Sequence, residues 1–374
     1  GPPLVRMEFM LMRRIRCNRR VCATAFGAVL AVALAACGGS AGNGSTGAVA
    51  LSSPQSEQQL VKAANTEGSV VFYNSFVEDQ IPPLIAAFNK KYPKIKVTSV
   101  IPGSEMVPRI TTEQRGGKYS ADVIAGSAQD FSALYSQGAI VKYNAPDAPS
   151  IPGFSLPSGY RDALYLKSTV IAWNPAALAK AGLQPPTTWE DLTKPEWKGK
   201  FSIVANSSGL DFYLSLISWL GHDKALALVK RLGANKPILA TSHTQATTGV
   251  QGGEPVATAT AYSYLAAQFK EQNPKTMDFA GTHPLLTTVD TVTLAKNAPH
   301  PAAAKLFIDW LMSHQGQNTI VTATGHAAMG ATKENDPTVW NPGKMKATFA
   351  QPDVTVDQYN QYTTEYEKAL GFNG

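Results

Sequence analysis

Cysteine is almost absent. The 374 residues contain three, Cys17, Cys22 and Cys37, all near the N-terminus, so a disulfide framework, a cysteine metal site and a cysteine nucleophile are excluded for the rest of the chain. Lysine is absent from the first 36 residues, where six arginines stand against one glutamate and hold +5 of the formal +6. The remainder is close to neutral, and a basic face for nucleic acid has no compositional support. Long apolar runs are absent too: Val21 to Ala36 spans 16 residues, short of the roughly 20 that cross a bilayer as a helix. There is no G-x-S-x-G elbow, H-E-x-x-H pair, Walker loop, G-x-G-x-x-G turn or EF-hand loop. The six histidines (His222, His243, His283, His300, His314, His326) lie far apart without ligand spacing, which fits helix ends and surface positions better than metal.

What is present begins with a leader. Arg6, Arg13, Arg14, Arg16, Arg19 and Arg20 precede the apolar run, the pattern of an export signal. The run ends Leu34-Ala35-Ala36-Cys37-Gly38 and resembles the bacterial lipobox, in which the cysteine is lipidated and becomes the new N-terminus. Residues 1–36 are expected to be the signal peptide and 37–55, rich in Gly, Ser and Ala, a flexible tether. Anchoring at Cys37 places the folded body outside the cytoplasmic membrane. Stable attachment takes more than one acyl chain, which the multi-acyl modification implied by the lipobox would supply.

After the tether, short apolar β runs alternate with helical periodicity. Ser56-x-x-Gln59 is a capping-box pattern opening a helix to about Thr66. Ser69–Tyr73, Lys94–Ile101 and Ala121–Ala125 read as strands, and Ile81, Leu84, Ile85 and Phe88 form one helical stripe. A helix is expected over Met106–Arg115, and Ser127 can cap another that finishes at Gly138. This order predicts mainly parallel α/β sheets, whose ligands sit beyond the carboxyl ends of the strands. The residues at those ends are Asn74, Ser75, Gly103, Ser104, Gly126 and Ser127, small, polar and neutral. Each alone reads as a cap or turn; recurring at three strand ends, they point to a cleft. Asp162–Trp173 is a long strand, Asn174-Pro175 opens a helix closed at Gly182, Pro301–Gln317 is read as one helix and Val356–Leu370 as a terminal amphipathic helix.

The chain is organised around Thr187–Tyr213. This stretch reads as a short helix capped by Thr188, a strand Phe201–Ala205, and Asn206-Ser207-Ser208-Gly209 opening a further helix. The first N–H groups of a helix lack internal partners and sit at its positive end, so this turn can hold an oxyanion with serine hydroxyls helping; it serves equally as a plain cap. The pattern P-x-T-W-x-D-L then P-x-W-K-G-K, with His300-Pro301 and Gln315-x-Gln317 around the later helix, resembles the extracytoplasmic substrate-binding proteins of ABC importers, in the branch that includes the ferric-ion binders. The resemblance covers most of residues 59–325.

That resemblance implies a type 2 periplasmic-binding-protein fold: two lobes, each a mainly parallel sheet flanked by helices, joined by a two-stranded hinge at Asp162–Trp173 and Leu285–Leu294. It divides the chain into lobe 1 (56–166 plus 290–325), lobe 2 (167–289) and a C-terminal helical segment (326–374). It implies no catalysis and no cofactor, a small-molecule ligand, an ABC permease as partner, no nucleic acid, and a monomer. Ferric binders use a histidine, a glutamate and paired tyrosines; here Val77, Ser127 and the spaced Tyr262-Ser263-Tyr264 stand in their place. Loss of anionic oxygen ligands disfavours a bare Fe(III) ion. The expected ligand is a small anion-bearing molecule, and the expected contacts are Asn74, Ser75, Ser104, Gly126, Ser127, Asn206, Ser207, Ser208, Gly209, Tyr262, Tyr264 and Asp290, with no metal. A ferric ion or complex and a hydrolase on the same scaffold are the alternatives. Carboxylates suited to an amine are few, Asp211 and Asp290 being the candidates.

Overall fold

The computed structural model describes residues 54–149, 159–280, 284–331, 347–350 and 354–372. Cys37 and its surroundings lie outside the described residues, as does His283. The first half opens with α1 (Pro54–Glu67), β1 (Ser69–Asn74), α2 (Ile81–Lys91), β2 (Lys96–Val100), α3 (Met106–Arg115), β3 (Val123–Gly126), α4 (Ala128–Ser136) and β4 (Ile140–Val141). Ser56 lies inside α1 rather than at its start, because the helix begins at Pro54, a residue suited to a first turn. Ser127 caps α4 as its S-x-x-D pattern predicts: its Oγ accepts from Asp130 N, and Asp130 Oδ2 accepts from Ser127 N.

The chain then crosses along β5 (Asp162–Trp173) into α5 (Pro175–Ala181), whose cap is Asn174 Oδ1 accepting from Ala177 N. The short helix at Thr188 is two 3-10 turns, Asp191–Thr193 and Pro195–Trp197; Pro195 is tolerated only in a first turn and so starts the second instead of continuing the first. β6 (Phe201–Val204), α6 (Leu210–Leu220), α7 (His222–Ala234), β7 (Ile238–Ala240), α8 (His243–Gln251), β8 (Ala257–Tyr262), α9 (Ser263–Gln272) and β9 (Asp278–Ala280) come next. The return is β10 (Leu285–Ala295), leading to α10 (Pro301–Met312), α11 (His314–Thr324), β11 (Ala347–Phe349) and α12 (Val356–Leu370).

The sheet order β2-β1-β3-β10-β5-β8-β6-β7 explains the two lobes. Within each end the strands run parallel (β2, β1, β3 and β8, β6, β7), while β10 and β5 pair antiparallel at the centre and belong to both. The central pair carries a bulge, where Asp290 faces Tyr165 but Thr291 faces Ala163. A bulge raises local twist and bends the ribbon, so the crossing is where the sheet curls. One core gathers Phe72, Phe88, Phe307 and Trp310 under the first lobe, and another gathers Trp189, Phe201, Phe212 and Tyr366 under the second. A smaller cluster with Val170, Leu285 and Val289 fills the crossing.

Two features differ from the sequence expectation. The helix read as Pro301–Gln317 is broken at Ser313, whose extended backbone caps α11 through Oγ accepting from Gly316 N. Gly316 sits so close to the end of α10 that a Cβ there would lie 2.0 Å from Trp310 O; the helices pack by turning, not by continuing. The segment after residue 325, read as helical, also contributes strands: Ala327 bridges Leu166 on β5, and β11 pairs parallel with β10. Among the described residues no helix is long and apolar enough to cross a membrane.

Candidate functional site

Two contiguous cavities lie where the lobes face each other. The outer, about 390 Å³, has Ser127, Gln129 and Asp130 on the first-lobe side, opposed by the Ser207-Ser208 turn, Asp211 and the start of α8 at Ser242–Thr244. The inner, about 180 Å³, reaches the crossing strands through Tyr165, Lys167 and Asp290, with Ser75, Val77 and His326 around it. Ser127, Asp130, Tyr262 and Tyr264 belong to both walls.

The helix starts explain why these residues meet. α4, the 3-10 turn before α6, and α8 all begin at the outer cavity, which sets the positive ends of three helical segments there, although Ser127, Asn206 and Ser242 each take one first-turn N–H as caps. Asn206 is consumed locally: its Oδ1 accepts from Ser208 N and its Nδ2 donates to Thr241 O. The Ser207 and Ser208 side chains are exposed and form no hydrogen bond among the described residues. Gly209 faces away, buried against β6, where a Cβ would lie 2.1 Å from Val204 O and 2.9 Å from Tyr366 Cε1.

A polar chain runs through the crossing. Tyr165 OH donates to Asp290 Oδ2 at 2.7 Å, Lys167 Nζ lies 2.9 Å from Asp290 Oδ1 and 3.7 Å from Asp211 Oδ2, and Tyr262 OH donates to Asp211 Oδ2 at 3.1 Å. Burial alone would discharge Lys167, yet Asp290, Tyr262 and Asp211 around it hold the ammonium well above the usual lysine range. Burial pushes the Tyr165, Tyr262 and Tyr264 phenols up, so they are donors, not phenolates. The Tyr262 and Tyr264 rings stack 6.0 Å apart, and His243 stacks on Tyr262 at 3.8 Å. His243 nitrogens lie 2.7 Å from Thr260 O and 2.9 Å from Ser208 O; burial nonetheless lowers its pKa. His326, 4 % exposed, stacks on Tyr165 and meets Tyr264 edge-on, and burial lowers it to about 3.

Of the residues singled out in the sequence, Ser75, Ser127, Ser207, Ser208, Tyr262, Tyr264 and Asp290 come together on these walls. Asn74, Ser104, Gly126, Asn206 and Gly209 line neither cavity. Asn74 is fully buried, its Nδ2 donating to Ser99 Oγ at 2.8 Å, and Gly126 lies under the Asp130 carboxylate, where a Cβ would be 2.8 Å from Oδ2. Val77 and Ser127 share the inner cavity with the two tyrosines. Among the described residues no three His, Cys, Asp or Glu side chains gather as a metal site.

Sequence reading missed Asp130, Tyr165, Lys167, His243, His326 and Tyr359. Asp130 had a signal in its S-x-x-D box, and Lys167 in being the one cation of an apolar and hydroxyl-bearing strand. The histidines and Tyr359 had none, because only tertiary packing brings α8, the segment after α11 and α12 to the cleft.

Comparison with known proteins agrees with this fold. A family model described as "Bacterial extracellular solute-binding protein" matches residues 76–318. The Fe(3+)-binding periplasmic protein of Serratia marcescens is 28 % identical over 277 residues, covering 70 % of this chain and 78 % of that one. The periplasmic binding protein AfuA of Actinobacillus pleuropneumoniae, solved with fructose-6-phosphate, is similar at TM-score 0.64 and 22 % identity, over 81 % of this chain and 97 % of its own. Iron-bound HitA of Pseudomonas aeruginosa gives 0.65 and 20 % over 80 % and 99 %.

Proposed function

Because this chain belongs to the bacterial extracellular solute-binding proteins, substrate-binding parts of transporters rather than enzymes, we propose that it captures a small anion-bearing solute, a phosphate, phosphonate or carboxylate, by closing its two lobes. The observation that carries this reading is the Ser207 and Ser208 hydroxyls, exposed and without hydrogen-bond partners among the described residues, on the wall of the outer cavity that also holds Ser127, amid three helix starts. Hinge bending occurs at β5 and β10, near their bulge, and ligand favours the closed form because only there do both lobes touch it. The closed form is the one an ABC permease recognises. The body is monomeric and held at the outer face of the cytoplasmic membrane by a lipid on Cys37. Its lobes comprise 56–166 plus 290–325 and 167–289, with 326–374 packed against them.

A bare ferric ion is less well served. Ser127 and Val77 offer no anionic oxygen, and Fe(III) would have to deprotonate phenols that burial and the neighbouring Asp290 hold protonated.

Replacing Ser207 and Ser208 together by alanine is expected to weaken solute binding by about 1–3 kcal/mol, the usual loss when hydrogen bonds to a desolvated charge are removed. Titration calorimetry measures it. Unchanged affinity would remove the pair from the solute site, the turn being capped by Asn206 in any case.

A further inference from the structure

Asp130 stands on the walls of both cavities. Its Oδ2 accepts from Ser127 N at 3.1 Å and Ser127 Oγ at 2.8 Å, but among the described residues it forms no ion pair. Lys167, the cation of the cleft, is engaged by Asp290 and Asp211 instead. The walls thus bring three carboxylates, Asp130, Asp211 and Asp290, against one ammonium. Burial raises the Asp130 carboxyl and Asp290 adds to it, only partly offset by the Ser127 hydrogen bonds and the more distant Lys167 charge, so a positive charge arriving beside it relieves a standing cost.

A second feature of the same place points the same way. His326 is 4 % exposed on the wall of the inner cavity, and its Nδ1 has no hydrogen-bond partner among the described residues. A neutral imidazole carries one acceptor nitrogen, and no described residue meets Nδ1. The Tyr264 ring lines both cavities with Asp130 and supplies an aromatic face of the kind that stabilises a desolvated ammonium, whereas Tyr262 is already covered by His243 and Lys167.

We propose that the solute is a zwitterion: its anionic group sits on the Ser207-Ser208 turn in the outer cavity, and a protonated amine reaches the junction with the inner one, against Asp130, Tyr264 and His326. This rests on the proposed anion seat and adds a cation seat to it. The ligand class becomes amino acids and aminoalkyl phosphonates or phosphates with the amine several bonds from the anion.

The test uses the full chain and a panel of ω-amino carboxylates and ω-aminoalkyl phosphonates, each beside the same molecule with the amine replaced by hydrogen. Titration calorimetry should show the amino compound bound roughly ten- to a hundredfold more tightly than its amine-free counterpart. Asp130→Asn keeps an oxygen to accept from Ser127 N and should bring the ratio of the two affinities in each pair close to one. Equal affinity for the two members of each pair, or an Asn variant that weakens both alike, overturns the zwitterion and leaves the anion seat intact. Binding of no panel member in the millimolar range overturns both.

Discussion

Replacing Lys167 by methionine should destabilise the fold by about 3–5 kcal/mol, the cost of leaving a buried carboxylate without its partner. Asp290 is 2 % exposed on the central strand, with Lys167 Nζ 2.9 Å from one oxygen and the Tyr165 hydroxyl 2.7 Å from the other. The hydroxyl satisfies geometry but not charge. Lys167 also reaches toward Asp211 at the start of α6, so its loss uncouples the crossing strands from the second lobe. Asp290→Asn added to Lys167→Met should restore most of the loss, since no charge is then stranded at that position. Urea unfolding of the two variants measures both. A single-variant loss below about 1 kcal/mol would mean that the pair behaves like a solvated surface bridge.

Gly209→Ala should cost about 3 kcal/mol, although the residue stands within a serine-rich turn and looks as if it served the ligand. The added Cβ would lie 2.1 Å from Val204 O and 2.9 Å from the Tyr366 ring, neither of them the free end of a flexible chain. Tyr366 is fully buried and its hydroxyl donates to that same carbonyl at 2.6 Å. The methyl group therefore pushes α6 off β6 and α12 off both. Thermal unfolding should fall by several degrees or more, while solute affinity per folded molecule stays near wild type. A stable variant with weakened binding would instead make Gly209 part of the site.

The elements were legible where local rules and tertiary packing agree. Asp162–Trp173 ends as expected because Asn174-Pro175 starts a helix directly after it, and Val356–Leu370 begins as expected because Thr355 caps its first turn. The break at Ser313 was not legible: the apolar stripe of α10 runs up to it, and the close packing of Gly316 on the end of α10, which leaves no room for a Cβ, is a tertiary feature. At the site, neutral hydroxyls at strand and helix ends could be read because strand ends are fixed by turn chemistry. The charge balance could not. Lys167 and Asp290 sit on different strands more than a hundred residues apart, and their pairing depends on the register of β5 against β10 across a bulge. His326 and Tyr359 reach the cleft by packing after the second crossing, which no periodicity encodes.

Native mass spectrometry of the protein purified from its own host examines the solute-binding role itself. A fraction of the wild-type chain should carry the added mass of one small solute, released intact on denaturation, and the Ser207→Ala/Ser208→Ala variant should carry little or none of it. A solute retained equally by the folded double variant would place the binding elsewhere and contradict the cleft between the Ser127 and Ser207-Ser208 turns as the seat of capture.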